Sequence, residues 1–140
     1  VGSTRSPLWR HGGVVFGPHP RDFSLRLPVK IKDLALKSAI NAKIAENNLV
    51  VLDGIILEKI KTKEAFKILS NFKLGTLKTK KDSVLLILEK DEANIRRAFS
   101  NIGFLKVGIS SDVSAYDILA CAKIVITKGA LSNLTKRLKK

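Results

Sequence analysis

Five consecutive apolar residues, Val84–Leu88, constrain the fold more than any other feature of this sequence. A strand with one solvated face alternates apolar and polar residues, whereas an unbroken apolar run is typical of a strand buried on both faces. Three further short runs have strand character and lie at Leu49–Leu52, 105–107 and 123–126. The sequence therefore predicts a sheet that is covered on both sides.

Helical patterns separate these strands. Apolar residues recur at helical spacing after Pro28, after Thr62, after Asp91 and after Ser114, and again between residues 130 and 138. Thr62 and Asp91 are predicted N-caps, and Ser114 with Asp117 predicts a capping box. Alternating helices and strands predict a three-layer α/β domain with a mostly parallel sheet between helices.

The same spacing predicts the apolar side of each helix. In the first helix the apolar stripe comprises Ile31, Leu34, Ala35, Ser38, Ala42 and Ala45. In the later helices the residues predicted to face inward are Ala65, Phe66, Leu69 and Phe72, then Ile95, Ala98, Phe99 and Ile102, and finally Ala130, Leu131, Leu134 and Leu138.

Residues 1–28 have a different character and form a predicted basic arm, extended in shape, ahead of a globular α/β domain at 29–140. The arm contains all four prolines, four of the nine glycines, and four arginines against one acid, Asp22. Proline and glycine at this density break helices and central strands. Because such a segment buries little surface against itself, we expect it to become ordered against a partner.

The charge of the chain indicates what that partner is. Twenty-six Lys and Arg residues against twelve Asp and Glu give a formal net charge of +14. A domain this basic points to a polyanion, most often nucleic acid, with an anionic membrane surface as the main rival. No apolar run approaches the roughly 20 residues needed to cross a bilayer, and no signal-peptide pattern opens the chain. A lysine-rich loop at 73–81 is either solvated or in contact with phosphate.

Side chains suited to RNA alternate along the arm. Arginine grips phosphate through two parallel hydrogen bonds and also stacks on bases. The aromatic faces of Trp9, Phe16 and Phe23 suit unpaired bases, although Phe23 could equally pack on the domain. Gly12 and Gly13 let the backbone approach a crowded surface closely. These features favour an RNA-binding arm.

Signals of a reaction centre are weak. Neither glycine-rich phosphate motif, G-x-G-x-x-G or G-x-x-x-x-G-K-[ST], occurs, and no G-x-S-x-G turn is present. Asp53 follows the first strand, at the sheet edge where ligands gather, but with Gly54 it equally suits a turn. His11 and His19 lack a metal-ligand spacing, and the single cysteine, Cys121, is expected to be buried and inert. The sequence therefore predicts no catalytic residue, metal or cofactor.

Residues 2–24, GSTRSPLWRHGGVVFGPHPRDFS, resemble the bacterial type of the large ribosomal subunit protein four family. The run R-S-P, G-G and F-G-P-x-P-R-D is long and compositionally unusual, so it carries most of the resemblance. The resemblance continues through 27–28 and 34–39, reappears weakly at 113–119 and 124–131, and so covers nearly the whole chain.

The resemblance implies an α/β domain on the surface of the large ribosomal subunit, with a long loop that threads through ribosomal RNA (rRNA) towards the polypeptide exit tunnel. It implies rRNA and neighbouring ribosomal proteins as partners, in a bacterial cytoplasm or an organelle, with no membrane and no small-molecule substrate. The family's N-terminal strand, helices and glycine- and arginine-rich loop tip have no counterpart in this sequence. His11 stands where a third glycine is usual, and His19 where Lys is common.

Taken together, the residues and the resemblance give twelve candidate RNA-binding residues: Arg5, Trp9, Arg10, His11, Gly12, Gly13, His19, Arg21, Arg26, Lys30, Lys32 and Lys37. Two alternatives stay open beside a structural protein of the large subunit. One is an RNA-binding regulator that acts off the ribosome, and the other is a nucleotide-dependent α/β enzyme that uses Asp53.

Overall fold

The computed structural model describes residues 2–55, 57, 60–72 and 83–139, and the lysine-rich loop predicted at 73–81 lies outside them. The elements, in chain order, are α1 (Val29–Ala45), β1 (Leu49–Leu52), α2 (Thr62–Asn71), β2 (Val84–Leu88), α3 (Ala93–Phe99), β3 (Leu105–Ile109), α4 (Ala115–Ala120), β4 (Lys123–Thr127) and α5 (Lys128–Leu138). This alternation confirms the predicted α/β class.

The four strands form one sheet in the order β1-β4-β2-β3. Every neighbouring pair is parallel, with Leu49 opposite Ile124 and Val84 opposite both Lys123 and Leu105. β2 and β4 are therefore the central strands, which explains why their sequences are apolar without alternation.

The side chains of β2 divide between two cores because successive residues of a strand point to opposite faces. Val84, Leu86 and Leu88 belong to the core beneath α2 and α3. Leu85 and Ile87 belong to the core beneath α1, α4 and α5. The sheet is thus the middle layer of three, as predicted.

α1 does not bury the stripe that predicted it. Leu36 and Ala39 face the core, whereas Ile31 and Leu34 are 52% and 67% exposed. The helix has apolar residues on two sides, and periodicity alone does not decide which side meets the sheet. The outer stripe remains on the surface, at the point where the arm joins the domain.

Two predicted helix caps are wrong. The N-cap of α2 is Lys61 rather than Thr62, and that of α3 is Glu92 rather than Asp91, and neither cap residue makes a side-chain capping hydrogen bond. Asp91 instead pairs with Arg96, with 2.7 Å between the carboxylate oxygen and the guanidinium nitrogen. The Asp91 carboxylate thus forms an ion pair with a side chain of α3 instead of capping the backbone of that helix.

The other helix predictions differ in outcome. The capping box of Ser114 with Asp117 is confirmed at the start of α4, and Cys121 is buried as expected. Phe66 and Phe72, which were predicted to face inward, are 43% and 41% exposed. α2 packs on the core through Ala65 and Leu69, and the rings of Phe66 and of Phe72, which follows the helix, lie at the margin of the core.

Candidate nucleic-acid interface

Residues 2–28 contain no helix or strand, and almost all of them are exposed. Every hydrogen bond made by residues 2–27 within the described part of the chain is local. Large apolar side chains are exposed along the whole segment: Leu8, Trp9, Val14, Val15, Phe16, Phe23, Leu25 and Leu27. So much uncovered apolar surface on a charged segment is typical of a binding surface.

The first part of the arm is folded into turns rather than extended. The backbone N–H groups of Ser6, Trp9 and Gly12 donate to the carbonyl oxygens of Ser3, Ser6 and Trp9 at 3.1, 3.3 and 2.9 Å. The indole N–H of Trp9 also donates to the Ser3 carbonyl at 3.0 Å. We call Ser3–Gly12 the turn segment. Its serines, proline and glycine are turn formers, a signal that sequence reasoning missed.

Gly12 closes the turn segment because nothing larger fits there. A Cβ added at Gly12 would overlap the backbone carbonyls of Pro7 and Trp9, whereas a Cβ at Gly13 would meet open space. His11, immediately before, has a φ of 62°, in the left-handed region that favours glycine. This backbone conformation explains why glycine is usual at this position in the family that the sequence resembles.

The second part of the arm presents an arginine stacked on an aromatic ring. The guanidinium carbon of Arg21 lies 4.3 Å from the centre of the Phe23 ring, within the range of a cation–π contact. The Asp22 carboxylate accepts from the backbone N–H and the hydroxyl of Ser24, each at 2.8 Å. These hydrogen bonds lower the pKa of Asp22. The one acid of the arm is thus used to form a turn.

Three of the predicted lysines lie on α1 directly after the arm. Lys30, Lys32 and Lys37 are exposed and form no ion pair within the described residues. Lys43 differs, since its ammonium nitrogen lies 3.5 Å from the Ala122 carbonyl oxygen and 3.9 Å from the Glu46 carboxylate. The first three lysines can therefore meet an anion without breaking an ion pair among the described residues.

A further cation, Arg137, comes close to the start of α1. Its Nη1 donates to the carbonyl oxygens of Ser110, Ser111 and Val113 at 3.3, 2.7 and 3.2 Å. These bonds fix the guanidinium over the loop between β3 and α4. Sequence reasoning missed this role of Arg137, since nothing local predicts contact with a loop 24 or more residues earlier.

The surroundings of Asp53 do not resemble those of a catalytic residue. The Asp53 side chain is 99% exposed and lies 3.9 Å from the Lys128 ammonium nitrogen. In the part of the chain that the structure describes, no three His, Cys, Asp or Glu side chains gather as metal ligands. Among those residues, none of the helices combines the length and apolarity that crossing a bilayer requires.

Comparison with known proteins decides the family. The sequence model of the ribosomal protein L4/L1 family matches residues 1–137. The chain belongs to the ribosomal protein L4/L1 family. The resemblance seen in the sequence is thereby confirmed. Members of the L4/L1 family are structural ribosomal proteins rather than enzymes, so the enzyme hypothesis centred on Asp53 is not retained.

The similar members of the L4/L1 family include bacterial proteins that are longer than this chain. The large ribosomal subunit protein uL4 of Pelotomaculum thermopropionicum is 46% identical over 133 residues, which are 95% of this chain and 61% of the relative. The uL4 proteins of Desulforamulus reducens and Thermoanaerobacter sp. are 40% and 42% identical, over 96% and 93% of this chain and 62% and 60% of the relatives. The chain spans about three fifths of the length of these relatives.

Proposed function

We propose that the chain is a structural constituent of the large ribosomal subunit that binds large-subunit rRNA. The single observation that carries this proposal is family membership, with relatives whose names place them in that subunit. The net charge of +14 supports it independently, because a polyanion is the partner that such a charge favours. The proposed location is the large subunit, in a bacterial cytoplasm or an organelle.

Residues 1–28 act as the RNA-binding arm, and residues 29–140 form the domain that anchors it. The arm offers arginines for phosphate and uncovered aromatic rings for bases. The lysines of α1 continue the basic surface onto the domain. The proposed RNA-binding residues are Arg5, Trp9, Arg10, His11, Gly12, Gly13, His19, Arg21, Arg26, Lys30, Lys32 and Lys37.

The local geometry supports distinct roles within this set. The turn segment holds Arg5 and Arg10 on a small, hydrogen-bonded loop, so that less conformational entropy is lost when they bind. Arg21 stacks on Phe23, and a planar guanidinium fixed in this way can still bind phosphate along its edge. In this proposal the arm approaches the exit tunnel and supports subunit assembly, next to neighbouring ribosomal proteins and without a membrane or small-molecule substrate.

The deciding experiment is sedimentation of the chain with bacterial large-subunit rRNA through a sucrose gradient at high salt. The variant replaces Arg5, Arg10 and Arg21 by Ala. A matched variant replaces Lys61, Lys63 and Lys67, which lie on or next to α2, by Ala and so removes the same charge from exposed positions. We expect the native chain and the lysine variant to co-migrate with the RNA and the arginine variant to be released.

Two results would overturn the proposal. One is a native chain that stays at the top of the gradient, which is the behaviour of a regulator acting off the ribosome. The other is equal loss of binding in both triple variants, which means that charge alone, and not the arm, holds the RNA.

A further inference from the structure

A groove of about 310 Å³ lies where the arm joins the domain, between α1 and α4. Its apolar lining includes Leu27 at the end of the arm, Ile31 and Ala35 on α1, and Tyr116 on α4. Ile31 belongs to the outer stripe of α1, the side that the domain leaves uncovered. The volume is at the lower end of the range for sites that hold small molecules or single chemical groups.

An aromatic ring stands at the wall of this groove. Tyr116 is 76% exposed, although tyrosine is a residue with a large apolar face and only one polar tip. It is the only tyrosine of the chain. An exposed aromatic face beside a basic segment is the usual platform on which an unpaired nucleobase stacks.

Two cations border the same groove. Lys32 is exposed and has no ion-pair partner among the described residues. Arg137 is held by its Nη1 on three backbone carbonyls. Its other donors make no hydrogen bond within the described part of the chain, and a guanidinium has five donor hydrogens in all. The fixed guanidinium of Arg137 and the flexible ammonium of Lys32 lie at the rim of the groove. Together they suit the phosphate of a nucleotide whose base occupies the groove.

One acid also lines the groove. Asp112 accepts from the hydroxyl of Ser111, with 3.2 Å between the two oxygens, and its backbone N–H donates to the Ile109 carbonyl. A carboxylate at a base-binding site accepts from an exocyclic amino group, as it does with the amino group of cytosine. It would favour cytosine over uracil, which has a carbonyl oxygen in place of that amino group.

We propose that this groove binds one unpaired nucleotide of the RNA, with its base stacked on Tyr116 and its phosphate at Lys32 and Arg137. The inference rests on the proposed RNA-binding function and adds a site on the domain that is distinct from the turn segment. Asp112 gives the site a preference for bases with an amino group.

RNA suits the groove better than an apolar side chain of a protein partner does. Two cations at the rim complement a phosphate and do nothing for an aliphatic group. The groove is also continuous with the arm through Leu27, so a strand of RNA that follows the arm reaches it directly. A neighbouring ribosomal protein that inserts an apolar side chain here is therefore an outcome that would count against the proposal.

The test uses NMR of the full chain with carbon-13-labelled tyrosine, which gives signals from a single ring. The probes are a single-stranded cytidine hexanucleotide, the uridine hexanucleotide, and a duplex of the same length. We expect the Tyr116 ring signals to shift on addition of the cytidine hexamer, less with the uridine hexamer, and not with the duplex, whose bases are already stacked.

Three variants separate stacking from other effects. Tyr116→Phe keeps the ring and should bind the cytidine hexamer as the native chain does. Tyr116→Ala should weaken binding by about five- to 150-fold, the range of one base–aromatic stack. Leu119→Ala, on the same helix and also exposed, is the matched control and should change nothing. Because none of the three alters a charge, the salt dependence of binding should stay the same in all of them.

The outcomes distinguish the two proposals. Ring signals that stay still while the hexamer binds elsewhere, or equal affinities for Tyr116→Ala and Leu119→Ala, would overturn the groove inference and leave the arm in place. A native chain that binds none of the probes and no large-subunit rRNA would overturn the proposed function itself. Ring signals that respond only to a ribosomal protein would assign the groove to a protein contact.

Discussion

The carboxylate of Asp117 joins α4 to the neighbouring edge strand by using its two oxygens for different partners. Oδ1 lies 2.6 Å from the ammonium nitrogen of Lys106 on β3. Oδ2 accepts from the backbone N–H and the hydroxyl of Ser114, at 3.0 and 2.7 Å. The ion pair with Lys106, followed by the two hydrogen bonds from Ser114, lowers the pKa of Asp117 from 3.8 to about 2.

This relationship predicts a pH dependence of stability. Because the pKa of Asp117 is lower in the folded chain than in the unfolded chain, its contribution is complete above about pH 4 and is lost as the pH falls through about 2. Since the Lys106 side chain is 58% exposed and solvent screens the pair, the loss should be on the order of 1 kcal/mol in the free energy of unfolding. Urea unfolding of the native chain and of Asp117→Asn between pH 5 and pH 2 measures it. If both chains lose stability in parallel over this range, Asp117 is not the group that titrates.

The turn segment predicts opposite behaviour for two adjacent glycines. Gly12→Ala should open the segment, since the new Cβ would overlap the carbonyls of Pro7 and Trp9, whereas Gly13→Ala should leave it closed. The indole N–H of Trp9, the only tryptophan, reports on the segment through its hydrogen bond to Ser3. Its hydrogen exchange should accelerate in the first variant alone. Equal exchange rates in the two variants would show that the segment is not closed in solution.

The left-handed backbone at His11 predicts a stabilising substitution. A non-glycine residue in this region costs about 1 kcal/mol, and the φ of His11 is 62°. His11→Gly should therefore slow exchange of the Trp9 indole hydrogen. His19→Gly is the matched control, because His19 does not have a positive φ and its replacement should not slow exchange. A faster indole exchange in His11→Gly than in the native chain would contradict the prediction.

Salt dependence measures how many phosphates the arm neutralises. If about six are neutralised, the logarithm of the affinity for rRNA should fall against the logarithm of the salt concentration with a slope on the order of −4. Replacing Arg5, Arg10 and Arg21 by Ala should make the slope shallower by about two to three. Filter binding or fluorescence anisotropy over a salt series gives both values. An unchanged slope in the triple variant would place the phosphate contacts elsewhere.

The start of α5 predicts a coupling between two residues of adjacent elements. A Cβ added at Gly129 would overlap the carboxylate of Glu89, so this carboxylate lies against the first turn of α5. A negative charge at the N-terminus of a helix stabilises it by about 0.3–1 kcal/mol. Glu89→Gln should lower the free energy of unfolding by this amount in the native chain and by less in Gly129→Ala, where the carboxylate is displaced. Equal effects in the two backgrounds would show that the effect of Glu89 does not depend on its contact with the first turn of α5.

The strands were predictable because their signal is local. An unbroken apolar run such as Val84–Leu88 has few alternatives once a helix precedes and follows it. β3 is longer than its predicted core at 105–107, since it extends through Gly108 to Ile109. Neighbouring β2 pairs with it along its full length, and a pairing partner does not appear in a local pattern.

The orientation of α1 and the helix caps were harder to predict. Leu36 and Ala39 meet the sheet because α1 packs beside α4, a contact that joins residues far apart in sequence. Asp91 is a good N-cap by type, but the Arg96 guanidinium competes for its carboxylate. Each of these outcomes depends on a competing tertiary or charge interaction that overrides local propensity.

The candidate interface was predictable in part. The basic arm is one continuous segment, so its arginines and aromatic residues can be proposed for RNA from the sequence alone, and their role stays a prediction. The groove combines Lys32, Tyr116 and Arg137 from three elements, and only the fold brings them together. The turn segment falls between these cases, since its turn-forming residues are local but its closure depends on Gly12.

The pairing of β1 has a consequence for how the chain folds during translation. β1 pairs only with β4 in the described sheet, and Leu49 meets Ile124 some 75 positions later. β1 leaves the translating ribosome ahead of β2 and β3, while β4, the strand that inserts between β1 and β2, leaves after them. Between the emergence of β1 and that of β4, a nascent chain therefore carries a strand whose partner does not yet exist, and an unpaired strand of this kind is prone to aggregation.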